Sequence, residues 1–303
     1  MTNNPKQILI TGGTGFVGSY LCEELMRQGH FLTILTRSPQ KYTEENSKNQ
    51  KFVGWETPLT PLMENTDIVI NLAGENLFGK RWTESVKKRL YNSRIDITRK
   101  LADAMKECSN PPDVFISASG INYYAESGDE IITEESESGD DFLAKICIDW
   151  EREALKAEQA GVRVAIPRIA VVLEYDGGMV EKMRLPFALF AGGPLGNGKQ
   201  YVSWIHMADL CRAIIYPIDN PTISGPYNAA APDPITMNAL ANAMGKVMNR
   251  PSFFRVPEFA LKLVLGEAAQ PVLSSLRVKP KVLLSEGFEF EFTDLEIALA
   301  DIL

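Results

Sequence analysis

Ile8-Leu9-Ile10-Thr11-Gly12-Gly13-Thr14-Gly15-Phe16-Val17-Gly18 is the stretch on which the fold turns. A short aliphatic strand ends in glycines spaced three apart, and a helical pattern over 15–28 follows at once. Gly12 permits the tight turn, Gly15 lets the backbone approach a pyrophosphate, and Gly18 allows helix and strand to pack closely. Thr14, Phe16 and Val17 stand in the same turn. The helix start adds unpaired N–H donors and the positive end of a dipole, so the turn is built for an anion. Strand before and helix after is the context expected of a dinucleotide cradle.

Working outward, β-branched and aliphatic runs recur at 31–36, 51–54, 67–72, 113–117 and 162–172, with helical patterns near 84–108 and 140–160 between them. That alternation predicts an α/β fold, a doubly wound parallel Rossmann sheet with helices on both faces. After about residue 172 glycine and proline become frequent, in 176–179, 191–198 and 225–234, with helical patterns again at 236–249 and 257–265. We therefore expect a dinucleotide-binding domain over 1–172 and a smaller substrate-binding lobe over 173–303, including a C-terminal domain from about 250. A late strand at 225–229 is expected to return to the main sheet.

The chain has 303 residues, a net charge of −8 and a pI near 5.1, so it carries no basic footprint for nucleic acid or an anionic membrane. The N-terminal stretch Met1 to Gln7 is polar, and no apolar run is long enough to span a bilayer, so a cytoplasmic protein is expected. Cys22, Cys108, Cys147 and Cys211 lie far apart, and His30 and His206 are the two histidines, which leaves no metal site in view.

The second strand candidate ends in Thr36-Arg37-Ser38, where a site preferring NAD would carry an acid for the ribose hydroxyls. Arg37 offers a planar fork suited to a 2′-phosphate, and Thr36 and Ser38 add hydroxyl donors, so NADP is the expected cofactor. Asn71-Leu72-Ala73-Gly74 closes another strand with small residues, and Leu72, Ala73 and Gly74 can lie flat against a nucleotide. Arg94 and Arg168 could each reach a phosphate or pair with an acid.

These residues resemble the extended short-chain dehydrogenase/reductase superfamily, through Thr11–Gly18 and Asn71–Gly74. Longer motifs resemble an atypical, YfcH-like branch of epimerase-family proteins with a C-terminal domain of unknown function. They are Lys80-Arg81-Trp82, Ser117-Ala118-Ser119, Tyr123-Tyr124, Asp149-Trp150-Glu151, Gly192–Gly198 and Trp204-Ile205-His206, and the likeness continues to Gly287-Phe288.

In the superfamily, catalysis rests on a Tyr with a Lys four residues later, on the helix after the fifth strand. This chain lacks the pair: that helix reads Phe142-Leu143-Ala144-Lys145-Ile146-Cys147, and Tyr123 and Tyr124 are followed at that spacing by Ser127 and Gly128. Either Tyr124 acts as the acid/base with Ser117 or Ser119 polarising a carbonyl, or the cofactor site persists without the usual chemistry. His206 stands as a structural residue or as a titrating group paired with Asp209. The resemblance implies an NADP-dependent oxidoreductase or epimerase acting on a small hydroxyl or carbonyl substrate, such as a nucleotide sugar, with a catalytically impaired NADP-binding sensor as the alternative. Monomer and homodimer are both compatible with the faces of the long helices.

Overall fold

The aliphatic run Ile8–Ile10 becomes a central strand with both faces covered, each of its residues no more than 2% exposed. In the computed structural model, which describes residues 4–303, this strand β1 (Gln7–Thr11) lies between β2 (Phe31–Thr36) and β4 (Ile68–Asn71), with Ile8 opposite Leu32 on one side and Ile68 on the other. Residues 1–3 of the polar stretch Met1 to Gln7 fall outside the described residues. With β3 (Gln50–Gly54), β5 (Val114–Ser117), β6 (Arg163–Ile169) and β7 (Gly225–Ala229), the parallel sheet runs β3-β2-β1-β4-β5-β6-β7. The order reverses at β1 and β4, the place where doubly wound sheets bind ligands at their strand C-termini. Helix α1 (Phe16–Arg27) covers one face, while α2 (Glu84–Lys106) and α3 (Phe142–Leu155) cover the other.

The run read as one strand over 162–172 is two. Arg163–Ile169 stays in the main sheet, Ala170 N–H donates to Ala229 C=O, and Val171–Leu173 turns away to pair with Trp204–His206. Two helices were hidden by their punctuation. Helix α4 (Gly178–Ala188) begins at paired glycines and contains Pro186, and α5 (Met207–Asp219) contains Pro217. Neither proline can donate to the carbonyl four residues back; in α5 the freed Ala213 carbonyl accepts from Tyr227 Oη at 3.0 Å instead, and buried apolar faces outweigh the local signal in both helices.

A separate core buries Phe187, Trp204, Met237, Leu240 and Leu299 together. It is built from α4, α6 (Met237–Val247) and α8 (Leu295–Ile302), while α7 (Glu258–Leu265) leans toward the sheet's C-terminal edge. Asp209 on α5 accepts from the N–H groups of Glu291 and Phe292, which ties the last segment to the helix that packs beside α1. No described helix is long and apolar enough to cross a membrane.

Candidate functional site

The glycine turn at the end of β1 is backbone packed on backbone. Gly12 has φ +74°, and a Cβ there would meet the Leu72 carbonyl at 2.6 Å. At Gly18 a Cβ would lie 2.1 Å from the Gly12 carbonyl oxygen, so α1 can start where it does only without one. Gly15 caps α1 with no side-chain hydrogen bond, which leaves the first-turn N–H groups available to an anion. Asn71 holds the surrounding strand ends: its Oδ1 accepts from Thr11 Oγ1 at 2.6 Å, and its Nδ2 donates to Thr98 Oγ1 at 2.8 Å and Ser117 Oγ at 3.1 Å. Ser117 is fully buried in that network and lies outside the cleft, which corrects its reading as a group that polarises substrate.

The turn opens into a cleft of about 1850 Å³. Gly12, Thr14, Gly15, Phe16, Val17 and Gly18 line one end of it, as do Thr36 and Arg37, and Leu72, Ala73 and Gly74 form the adjacent wall. Arg37 is exposed and makes no ion pair among the described residues. Ser38 does not reach the cleft wall; its N–H turns back on Thr36 Oγ1. Trp55, one residue past β3, stands at the same end and escaped notice because nothing in its local sequence marks it.

Arg94 reaches the cleft from α2. Its guanidinium lies against Gly74, where a Cβ would sit 3.0 Å from Cζ, and donates to the carbonyls of Leu90 and Glu75, each at 3.0 Å. The Glu75 carboxylate pairs with Arg89 instead, at 3.2 Å. Burial lowers the Arg94 pKa, the mark of a cation short of compensating charge. Arg168 is different. It is buried outside the cleft, paired with Glu151 through Nε and Nη2, and its guanidinium lies 3.5 Å from the ring centre of Tyr123. Of the two alternatives weighed for Arg168, pairing with an acid is the one realised.

Where the superfamily places its acid/base pair, α3 turns Leu143, Ile146, Cys147 and Trp150 into the cleft. Leu143 and Cys147, four residues apart, share one helical face, and neither is the phenol or the ammonium that the usual proton exchange uses. Burial pushes the Cys147 thiol up to about 11. Ser119 does line the cleft, and its hydroxyl donates to Glu151 Oε1 at 2.7 Å.

Tyr124 is 3% exposed, stands outside the cleft, accepts from Arg168 Nη1 at 2.8 Å and donates to Asn228 Oδ1 at 2.7 Å. Burial pushes its pKa up to about 12, against the pull of Arg168. Its hydroxyl is committed on both sides, which corrects its reading as the acid/base. His206 is likewise remote from the cleft. Its Nδ1 caps α5 by accepting from Ala208 N–H, its ring stacks on Phe292 with centres 3.7 Å apart, and its Nε2 lies 3.3 Å from Asp301 outside hydrogen-bond geometry. Asp209, the expected partner, instead binds Arg212 and the backbone of residues 291–292. The group that local reading missed is Glu151. An acid on the buried face of an amphipathic helix was the available signal, but its partner stands on a different strand.

Comparison with known proteins agrees with this architecture. Residues 8–230 match the NAD dependent epimerase/dehydratase family, and residues 256–302 match a domain of unknown function, DUF1731. Epimerase family protein SH2119 of Staphylococcus haemolyticus is 40% identical over 301 residues, 98% of this chain and 99% of that one. Epimerase family protein YfhF of Bacillus subtilis is 38% identical over 300 residues, 98% of this chain and 97% of that one. Among solved structures, human epimerase family protein SDR39U1 with NADPH superposes with a TM-score of 0.87 at 30% identity, covering 98% of both chains. The nucleoside-diphosphate sugar epimerase from Corynebacterium glutamicum gives a TM-score of 0.76 at 34% identity, covering 99% of this chain and 58% of that one.

Proposed function

The chain belongs to the NAD dependent epimerase/dehydratase family, and from that premise we propose that it binds NADP(H) in the cleft at the end of β1 and acts there, in the manner of an oxidoreductase or epimerase, on a small hydroxyl or carbonyl compound. The observation that carries the cofactor reading is Arg37, an exposed guanidinium at the end of β2 with no ion-pair partner among the described residues, beside a glycine cradle that a Cβ would fill. The NADPH-bound human relative supports the same cofactor.

The residues present fit the group. The uncapped start of α1 receives a pyrophosphate, Arg37 receives a 2′-phosphate through its planar fork, and Leu72–Gly74 with Arg94 borders the far side of the dinucleotide. A bound nicotinamide supplies a hydride donor or acceptor. Ser119 is the hydroxyl the chain offers to a substrate oxygen. Because it already donates to Glu151, it is oriented to accept a hydrogen bond from the substrate.

A second reading, an NADP(H)-binding sensor without turnover, is favoured by one observation, the apolar face that α3 turns to the cleft at Leu143 and Cys147. The test begins with calorimetric titration of NADP and NAD into the protein and into Arg37→Ala. Preference for NADP by at least about tenfold, ~1.4 kcal/mol, that disappears in Arg37→Ala is the expected result. Failure of both nucleotides to bind removes the proposal. Loss of nicotinamide absorbance from the NADPH-loaded protein with a carbonyl compound, or interconversion of epimers with no net loss, then separates enzyme from sensor.

A further inference from the structure

Past the dinucleotide cradle the cleft changes character. Its far half is walled by Met179, Met183 and Phe187 of α4 facing Val256, Leu261 and Val272 of the C-terminal segment. Among the charged side chains lining it, Asp176, Glu181 and Lys182 stand exposed at the start of α4. Lys88 and Arg89 of α2 line the cleft as well, Arg89 paired with Glu75 at 3.2 Å. The apolar wall continues to the outside. Pro186 and Val264 line the mouth, with Val264 68% exposed, and around them Leu189, Phe190, Phe259 and Leu263 are each more than half exposed. An exposed apolar rim of that kind marks a functional opening more often than chance.

The inner end is polar. Ser119 donates to Glu151, which leaves its oxygen free to accept, and Asn122 lines the wall beside it. A hydroxyl can be satisfied here. We infer that the cleft takes an elongated lipophilic alcohol, its hydroxyl donating to Ser119 and its apolar body running between α4 and α7 to the rim. This rests on the proposed function in that NADP(H) fills the glycine end and leaves this half for substrate. A nucleotide sugar suits these walls less well, because its diphosphate and sugar hydroxyls would be desolvated where they meet methionine, valine and leucine.

The experiment is calorimetric titration of the full chain with decanol and, separately, UDP-glucose, each with and without saturating NADPH, repeated for Val264→Glu and Met179→Glu. Val264 is exposed, so the first variant keeps its fold. Decanol is expected to bind at least about tenfold more tightly than UDP-glucose, and each variant to weaken decanol by about tenfold while leaving NADPH affinity unchanged. Tighter binding of UDP-glucose than of decanol overturns the inference, as does decanol affinity that neither variant alters. Since decanol is titrated with and without NADPH, a protein that binds decanol but no NADPH refutes the cofactor reading and leaves this one standing.

Discussion

Glu151 on α3 grips Arg168 on β6 through two parallel contacts, Nε to Oε1 at 2.9 Å and Nη2 to Oε2 at 2.8 Å, with both side chains buried. The same carboxylate accepts from Ser119, and the same guanidinium donates to Tyr124, which in turn donates to Asn228. A single hydrogen-bonded chain thus runs from the cleft wall to β7, the edge strand of the sheet.

Breaking that pair on one side leaves a buried charge alone. Arg168→Met and Glu151→Leu are each expected to lower unfolding stability by about 3–5 kcal/mol, and the double variant to recover much of the loss. Urea denaturation measures all three, and additive losses in the double variant would show that the two groups are not coupled.

Tyr124→Phe keeps the ring and removes the hydroxyl, which leaves Arg168 and Asn228 each short of a partner. A loss of about 1–3 kcal/mol is expected, with NADPH affinity unchanged. With its pKa pushed up to about 12, the Tyr124 phenol should stay protonated where exposed tyrosines, near 10, already ionise. A tenfold drop in NADPH affinity would return Tyr124 to the site.

Gly18→Ala forces a methyl group into the Gly12 carbonyl. Backbone cannot yield as a side chain can, so we expect a loss of about 1–3 kcal/mol together with weakened NADPH binding. Gly29→Ala is the contrast: its added Cβ meets nothing within 4 Å, although its φ of +89° still carries strain. An unchanged thermal midpoint and NADPH affinity in Gly18→Ala would contradict the close packing at this turn.

Burial lowers the His206 pKa, against the pull of Asp301, Asp209, Glu174 and Glu291. The unfolded chain therefore binds this proton more readily than the folded one. The stabilising contribution is complete above the unfolded value, about 6.5, and is lost as the pH falls through it toward the lower folded value. Protonation also removes the Nδ1 acceptor that caps α5. His206→Gln should flatten the fall in thermal midpoint between about pH 7 and about pH 5. His30, also lowered by burial, leaves part of the slope in place. An identical slope in the variant would rule His206 out as its source.

Much of the fold was legible because its signals are local. The strand-glycine-helix order at Ile8–Gly18 needs only neighbours to be read, and Arg37 follows from its place at the end of the next strand. The alternation of aliphatic runs and helical patterns foretold the sheet, and even β7 was visible as a late strand. Helices α4 and α5 were not, because Gly177, Pro186 and Pro217 imitate loop punctuation while the burial that stabilises those helices comes from distant residues.

The sequence alone determined that a dinucleotide cradle exists, that an arginine stands beside it, and that the usual Tyr–Lys pair is missing from α3, since each depends on residue types at short spacing. Tertiary structure alone decided what the remaining polar side chains do. Ser119, Glu151, Arg168, Tyr124 and Asn228 span more than a hundred positions along the chain, and their pairing is fixed by which strands lie side by side. The same tight packing draws Tyr124, Arg168 and His206 away from the cleft and brings Met179, Leu261 and Val264 to it, because a buried polar group must find a partner wherever the fold supplies one.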